Sequence, residues 1–141
     1  MPDSRHPVPS TERYVHALTV LEDDITLIQR LLLLKHWSFP GHAATATQLA
    51  HATGLNEYRA VNLRYGLLGK LLRQEMDYPL RDNEVQLDAI ARLERPDEDG
   101  DGVLHMHPEV AAALEELGWV RSGVARKNSV KASAKPKKTK L

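Results

Sequence analysis

Apolar side chains recur at helical spacing in five stretches of the chain, and this pattern predicts five helices. The stretches run over about 10–21, 22–37, 45–53, 56–73 and 108–117. The first two could form one continuous helix, because only the acidic run 22–24 separates them. If the two helices are separate, this run begins the second one, where negative charges interact favourably with the helix dipole.

Short polar residues and glycines mark the helix ends. Gly54 suits a left-handed helix end and Gly118 stops the last helix, which Pro108 opens. Short polar side chains can cap backbone N–H groups at helix starts; the predicted caps are Ser10 or Thr11, Thr45 or Thr47, and Asn56.

Helical spacing also predicts which side chains face inward. The second helix carries Ile25, Ile28, Leu31, Leu32 and Lys35 at this spacing, and the third carries Leu49 and Ala50. In the fourth helix the main inward stripe is Ala60, Leu63, Leu67 and Leu71, widened by Val61, Leu68 and Leu72.

Two segments after the fourth helix alternate in a way that predicts a β-hairpin. Residues 85–92 read as a strand, with a helix left open, and residues 103–107 read as the returning strand. Helices followed by a two-stranded wing predict a mainly α fold with a small β-hairpin, a winged helix-turn-helix. Residues 10–120 form the predicted domain, and 1–9 and 121–141 are expected to be disordered.

The string LAHATGL, residues 49–55, has the composition of a helix-turn-helix. Ala50 permits close approach of the next helix, Gly54 supplies the tight turn and Leu55 anchors it. Helical bundles also contain such strings, so a plain bundle remains the alternative.

A helix-turn-helix would place the N-terminal half of helix 56–73 in the major groove of DNA. Arg59, Asn62 and Tyr65 would then read bases, since arginine pairs well with guanine and asparagine with adenine. Arg64, Lys70 and Arg73 would contact phosphates. The full set of predicted DNA contacts is Thr45, Thr47, Tyr58, Arg59, Asn62, Arg64, Tyr65, Lys70, Arg73, Lys131, Lys135, Lys137 and Lys138.

The net charge of zero conceals an uneven distribution. Residues 1–120 carry a net −8 and residues 121–141 carry +8, which fits either a polyanion partner or a solubilising end. The chain has no cysteine, which excludes disulfides and thiolate metal sites. No apolar run approaches the ~20 residues of a membrane span, and no signal peptide is evident. We expect a cytoplasmic, nucleoid-associated protein.

Two stretches resemble known families of DNA-binding modules. PGHAATATQLA, residues 40–50, followed by YRAVN, residues 58–62, resembles the DNA-binding domain of alkyltransferase-like repair proteins. That resemblance places Arg59 where the family's arginine holds a flipped base. The family's tyrosine falls at Ala46, and no cysteine is present to accept an alkyl group. The resemblance therefore implies a DNA-binding scaffold without repair activity.

A second resemblance covers about residues 20–120. VNLRYGLLGKLL, residues 61–72, and HPEVAAALEELGWV, residues 107–120, resemble modules attached to HNH-type nucleases of modification-dependent restriction. That resemblance implies a sensor of DNA, including modified DNA. The HNH catalytic pattern itself is absent from the sequence.

Other readings of the sequence stay open beside DNA binding. The acidic loop 97–101 would repel phosphate, and it lacks the spacing of a calcium loop. His105 and His107 could serve an enzyme only with a third metal ligand. Without catalytic signatures we predict a non-enzyme with no cofactor or metal. The main alternative is a protein-interaction or DNA-mimic module whose acidic body binds a basic partner, and a homodimer is also left open.

Overall fold

Five helices and three short strands make up the described part of the computed structural model, which covers residues 8–82, 84–94 and 102–120. The helices are α1 (Thr11–Val20), α2 (Leu27–Ser38), α3 (Ala46–Thr53), α4 (Tyr58–Met76) and α5 (Pro108–Glu116). The strands are β1 (Ala43–Thr45), β2 (Ala91–Glu94) and β3 (Val103–Met106), and short 3₁₀ turns span Pro40–His42 and Gln86–Ala89. The mainly helical fold with a small antiparallel sheet agrees with the prediction.

Two of the three predicted helix caps are confirmed and one is wrong. Ser10 caps α1, and Thr45 forms a reciprocal capping box with Gln48 at the start of α3. The predicted cap at Asn56 is wrong, because α4 begins at Tyr58 and the preceding Glu57 makes no side-chain cap bond.

A second capping box separates α1 from α2. The Thr26 hydroxyl accepts from the Gln29 backbone N–H at 3.1 Å, and the Gln29 amide oxygen accepts from Thr26 N at 2.9 Å. The possibility that the first two helices form one continuous helix is therefore wrong. The acidic run 22–24 lies in the turn between the helices, not in the first turn of α2.

The inward face of α2 differs from the predicted one. Its buried side chains include the polar Gln29 and His36, while Lys35 is exposed and Ile28 and Leu31 are only half-buried. Both polar groups are buried because each has a hydrogen-bonding partner within the fold. The face is consequently centred on Gln29, Leu32, Leu33 and His36.

Strand β3 lies at the centre of the sheet and pairs antiparallel with both neighbours. Ala44 of β1 opposes Leu104, and Arg92 of β2 opposes His105. The returning strand is confirmed, but the strand predicted over 85–92 is wrong in its first half, where a 3₁₀ turn spans Gln86–Ala89. Strand β1 was not predicted, since three residues give too little alternation.

The Gln86–Ala89 turn crosses α4 at Gly69. A Cβ atom added at Gly69 would lie 2.1 Å from the Gln86 carbonyl oxygen, so no larger residue fits without a backbone shift. Leu87, Ala89 and Ile90 are buried beside α4 and α1, and the Tyr14 hydroxyl donates to the Ala89 carbonyl at 2.6 Å. Burial raises the pKa of Tyr14.

The end of the described chain packs back onto the helices. Gly118 adopts φ +76° after α5, and Trp119 and Val120 then contact the core. The Arg30 guanidinium lies 3.9 Å from the centre of the Trp119 ring. This contact fixes the segment after α5 against α2.

Candidate nucleic-acid interface

Helices α3 and α4 are joined by the tight turn that the sequence predicts. Gly54 adopts φ +79°, and the backbone N–H groups of Gly54 and Leu55 both donate to the Ala50 carbonyl. Ala50 is buried against the neighbouring helices, and Leu55 packs on the core. The turn therefore fixes where the first residues of α4 lie.

The orientation of α4 differs from the prediction. Leu63 and Leu67, assigned to the inward stripe, are 58% and 48% exposed. The buried face instead carries Val61, Tyr65, Leu68, Gly69, Leu72, Arg73 and Met76. The predicted main stripe is therefore wrong at Leu63 and Leu67, Val61, Leu68 and Leu72 are buried as predicted, and two predicted DNA contacts fall on the buried side.

Tyr65 is the first of these, and it lies in the core instead of at the surface. Its hydroxyl is 2.8 Å from Nδ1 of His36 and 3.3 Å from the Leu32 carbonyl oxygen. Complete burial raises its pKa well above the ordinary value. A fully buried ring cannot reach a base, so the prediction that Tyr65 reads DNA is wrong.

His36 links three elements from its place beneath Tyr65. Its Nε2 lies 2.8 Å from the Leu104 carbonyl oxygen, and its Nδ1 faces the Tyr65 hydroxyl. When Nε2 carries the proton, it donates to the Leu104 carbonyl, and Nδ1 accepts a hydrogen bond from the Tyr65 hydroxyl. Burial lowers the pKa of His36 to about 4, so the ring is neutral at physiological pH. The pair ties α2, α4 and β3 together.

Arg73 is the second predicted DNA contact on the buried side. It is 5% exposed, and its guanidinium donates to the carbonyls of Pro79 and Val85 at 3.0 and 3.3 Å. The same group lies 3.6 Å from Glu84 and 4.6 Å from the centre of the Tyr78 ring. Arg73 holds the segment after α4 and is not available to a phosphate, so its assignment as a DNA contact is wrong.

The first turns of α4 present the remaining predicted contacts. Tyr58 and Arg59 are exposed, and their ring and guanidinium are 5.6 Å apart. Arg59 makes no hydrogen bond or ion pair with the residues that the structure describes. Asn62 and Arg64 are half-buried and Lys70 is exposed. Arg64 also has a buried Nε without a partner in the described ranges.

The other predicted contacts flank this region or lie elsewhere. Thr45 is half-buried and serves as the cap of α3, while Thr47 is exposed in the first turn of that helix. Lys131, Lys135, Lys137 and Lys138 lie outside the described residues, as does the acidic loop 97–101.

Charge separates sharply along the chain. Residues 25–74, which contain α2, α3 and nearly all of α4, have six basic residues and one acidic residue, Glu57. Residues 75–120 have thirteen acidic and three basic residues. Residues 25–74 are therefore net basic and residues 75–120 net acidic, although Arg73 is buried and the accessible charges around α3 and α4 are Arg59, Arg64 and Lys70 against Glu57 and Glu75. This contrast is visible in the sequence, but a charge summed over residues 1–120 hides it.

His105 and His107 do not form a shared site. Nε2 of His105 lies 2.6 Å from a carboxylate oxygen of Glu94, whereas Nε2 of the buried His107 lies 2.6 Å from the Asp88 carbonyl oxygen. Within residues 8–82, 84–94 and 102–120, no three metal-ligating side chains come together. Each histidine thus has its own structural partner.

Comparisons with known proteins add no relative to this description. Neither protein-family models, nor curated proteins, nor solved structures gave a match to the chain. None of the helices in the described ranges has both the length and the apolar character needed to cross a membrane.

Proposed function

We propose that this protein binds double-stranded DNA without catalysis, through α3 and the first half of α4. The observation that carries the proposal is the exposed Arg59 on the first turn of α4, within a segment whose only acidic residue is Glu57. A basic surface supplies the phosphate attraction on which DNA affinity depends. Arg59, Tyr58 and Asn62 contact bases, and Lys70, Arg64 and Thr47 contact the backbone.

The order of elements supports a winged helix-turn-helix. Two helices joined at Gly54 are followed by the β2–β3 hairpin, and β1 before them pairs with β3. In this arrangement α4 is the recognition helix and the hairpin is the wing. The resemblance to alkyltransferase-like domains places its arginine at Arg59, on the same exposed turn. The modules attached to HNH-type nucleases offer the second parallel, with DNA sensing as the shared role.

Fluorescence anisotropy with short duplexes over a salt series tests this function. Arg59→Ala should weaken binding by roughly 1–3 kcal/mol. Lys35→Ala removes an exposed cation from α2 and should change affinity less, while Glu57→Gln should strengthen binding by removing the only Asp or Glu carboxylate of residues 25–74. All three residues are exposed, so circular dichroism should report an unchanged fold.

The full chain and a 1–120 truncation separate the folded domain from the basic tail. Retained binding by the truncation, with sensitivity to Arg59→Ala, assigns recognition to α4. Equal losses for Arg59→Ala and Lys35→Ala would indicate nonspecific charge attraction only. Loss of all binding with the tail would contradict the proposal for the folded domain.

A second candidate function is an interaction or DNA-mimic module that binds a basic partner. The net −10 of residues 75–120 favours it, and exposed acids such as Glu94, Glu115 and Glu116 contribute to that charge. Salt-sensitive binding to poly-lysine that is stronger than binding to duplex DNA, and indifferent to Arg59→Ala, would support this candidate over the first.

A further inference from the structure

The outward face of α4 carries an ordered stripe of four residues, which we call the outer stripe: Arg59, Leu63, Gly66 and Lys70. Their spacing of four, three and four places them in one line along the helix. Arg59, Leu63 and Lys70 are exposed, and Leu67 lies beside the line. The stripe thus has a cation at each end, with an apolar side chain and a glycine between them.

Gly66 has no role in the packing of the described fold. A Cβ added there would meet no atom within 4 Å, and its backbone is helical, so alanine would fit without strain. Glycine inside a helix is less favourable than alanine because it loses more conformational entropy on folding. Gly69, one turn further, shows the contrast, since its Cβ would collide with the Gln86 backbone. A glycine that the fold does not require fits a surface that another molecule approaches closely.

The apolar area that Leu63 and Leu67 expose is too small for a stable protein interface. Each partner of such a complex buries roughly 800 Å², and two half-exposed leucines supply only a small part of that. The major groove of DNA offers an apolar target of the right size, the C5 methyl group of a pyrimidine. The cations at the two ends of the stripe suit the same target, because arginine can bind a base edge in the groove and lysine a phosphate beside it.

We propose that the outer stripe seats a methyl-bearing pyrimidine, thymine or 5-methylcytosine, in the major groove. Leu63 contacts the C5 methyl, and Gly66 lets the backbone of α4 lie close to the groove edge. Arg59 binds an adjacent base, and Lys70 binds a phosphate. This inference rests on the proposed DNA binding and specifies what the same surface recognises.

The test compares short duplexes of random sequence that differ only in C5 methyl groups. One pool contains thymine, one contains uracil at every thymine position, and one contains 5-methylcytosine in place of cytosine on the uracil background. The wild-type chain should bind the uracil pool roughly three- to fivefold more weakly than the thymine pool, the effect of one buried methyl group. The 5-methylcytosine pool should recover part of this affinity.

Two variants connect the preference to the outer stripe. Leu63→Asn should equalise the thymine and uracil pools, whereas Leu27→Asn, at a leucine that is 84% exposed on α2, should leave the preference intact. Gly66→Ala should raise the melting temperature and yet weaken binding, a combination that a purely structural glycine would not give.

The outcomes separate this inference from the proposed function. Equal affinity of the wild type for the thymine and uracil pools overturns the methyl contact and leaves DNA binding intact. A preference that survives Leu63→Asn also overturns it, because another residue then reads the methyl. Failure to bind any pool overturns the proposed function together with the inference.

Discussion

Each of the two faces of α4 departs from a simple amphipathic helix at two positions. The inner face buries a tyrosine and an arginine, Tyr65 and Arg73, while the outer face exposes the two leucines Leu63 and Leu67. On the inner face the Tyr65 hydroxyl meets Nδ1 of His36, and the two terminal nitrogens of Arg73 donate to carbonyls beside Glu84, while its Nε has no hydrogen-bond partner within the described residues. Polar side chains are buried where the fold supplies hydrogen bonds.

The two glycines of α4 repeat this contrast. Gly69 on the inner face is required by the close backbone of the Gln86–Ala89 turn, and Gly66 on the outer face is required by nothing within the described fold. The inner face is therefore explained by stability. The outer face retains features that stability does not explain: two exposed leucines and a glycine that no contact requires.

The largest effect on the inner face should come from Arg73→Ala. The substitution leaves the Pro79 and Val85 carbonyls and the largely buried Glu84 without their partner. Removing one member of a buried ion pair costs about 3–5 kcal/mol. Urea denaturation should show this loss, while Lys70→Ala on the outer face should stay within about 0.5 kcal/mol of wild type. Equal small effects for both would show that Arg73 does not hold the segment after α4.

A matched pair of glycine substitutions should give the next largest effect. Gly69→Ala should destabilise by about 3 kcal/mol, the upper end of overpacking costs, because the new Cβ would face the Gln86 carbonyl. Gly66→Ala should stabilise by roughly 0.5–1 kcal/mol. Thermal melts of both variants are the measurement. A stabilising Gly69→Ala would mean that the Gln86–Ala89 turn does not approach α4 as closely as described.

The sequence predicts the boundaries of most helices because their signals are local. Ser10, Thr45, Gly54 and Pro108 each act on the turn beside them, and the structure uses all four as expected. The strand β1 and the 3₁₀ turn at Gln86–Ala89 were not predictable in this way. Both depend on partners distant in the chain, β3 in one case and Gly69 in the other.

The orientation of α4 could not be obtained from periodicity alone. The helix carries two apolar stripes, one through Leu63 and Leu67 and one through Val61 and Leu68, and each has helical spacing. The burial of Tyr65 determines which stripe faces the core. Tyr65 can be buried because Nδ1 of His36, on α2, accepts a hydrogen bond from its hydroxyl. For the candidate site, Arg59 and Lys70 were predicted to be exposed and are, whereas Tyr65 and Arg73 were placed on the wrong face.

The buried His36 should make stability depend on pH. Its folded pKa of about 4 lies below the unfolded value of 6.5, so the unfolded chain binds the proton first as the pH falls. The contribution of His36 to the free energy of unfolding should be fully present above about pH 6.5. It should decrease by about 2 kcal/mol between pH 7 and pH 5. His36→Gln removes the titrating group, and its denaturation midpoints should depend less on pH. Parallel pH profiles for the two proteins would contradict this role of His36.

The smallest expected effect comes from a matched pair of tyrosine substitutions in α4, which we compare in both stability and DNA affinity. Tyr65→Phe leaves Nδ1 of His36 without its donor and should cost about 1 kcal/mol. Tyr58→Phe removes an exposed hydroxyl and should not change stability measurably. Duplex affinity should follow the opposite order, because only Tyr58 lies on the surface proposed to contact DNA. A loss of affinity with Tyr65→Phe that matched the loss with Tyr58→Phe would mean that the two faces of α4 do not act separately.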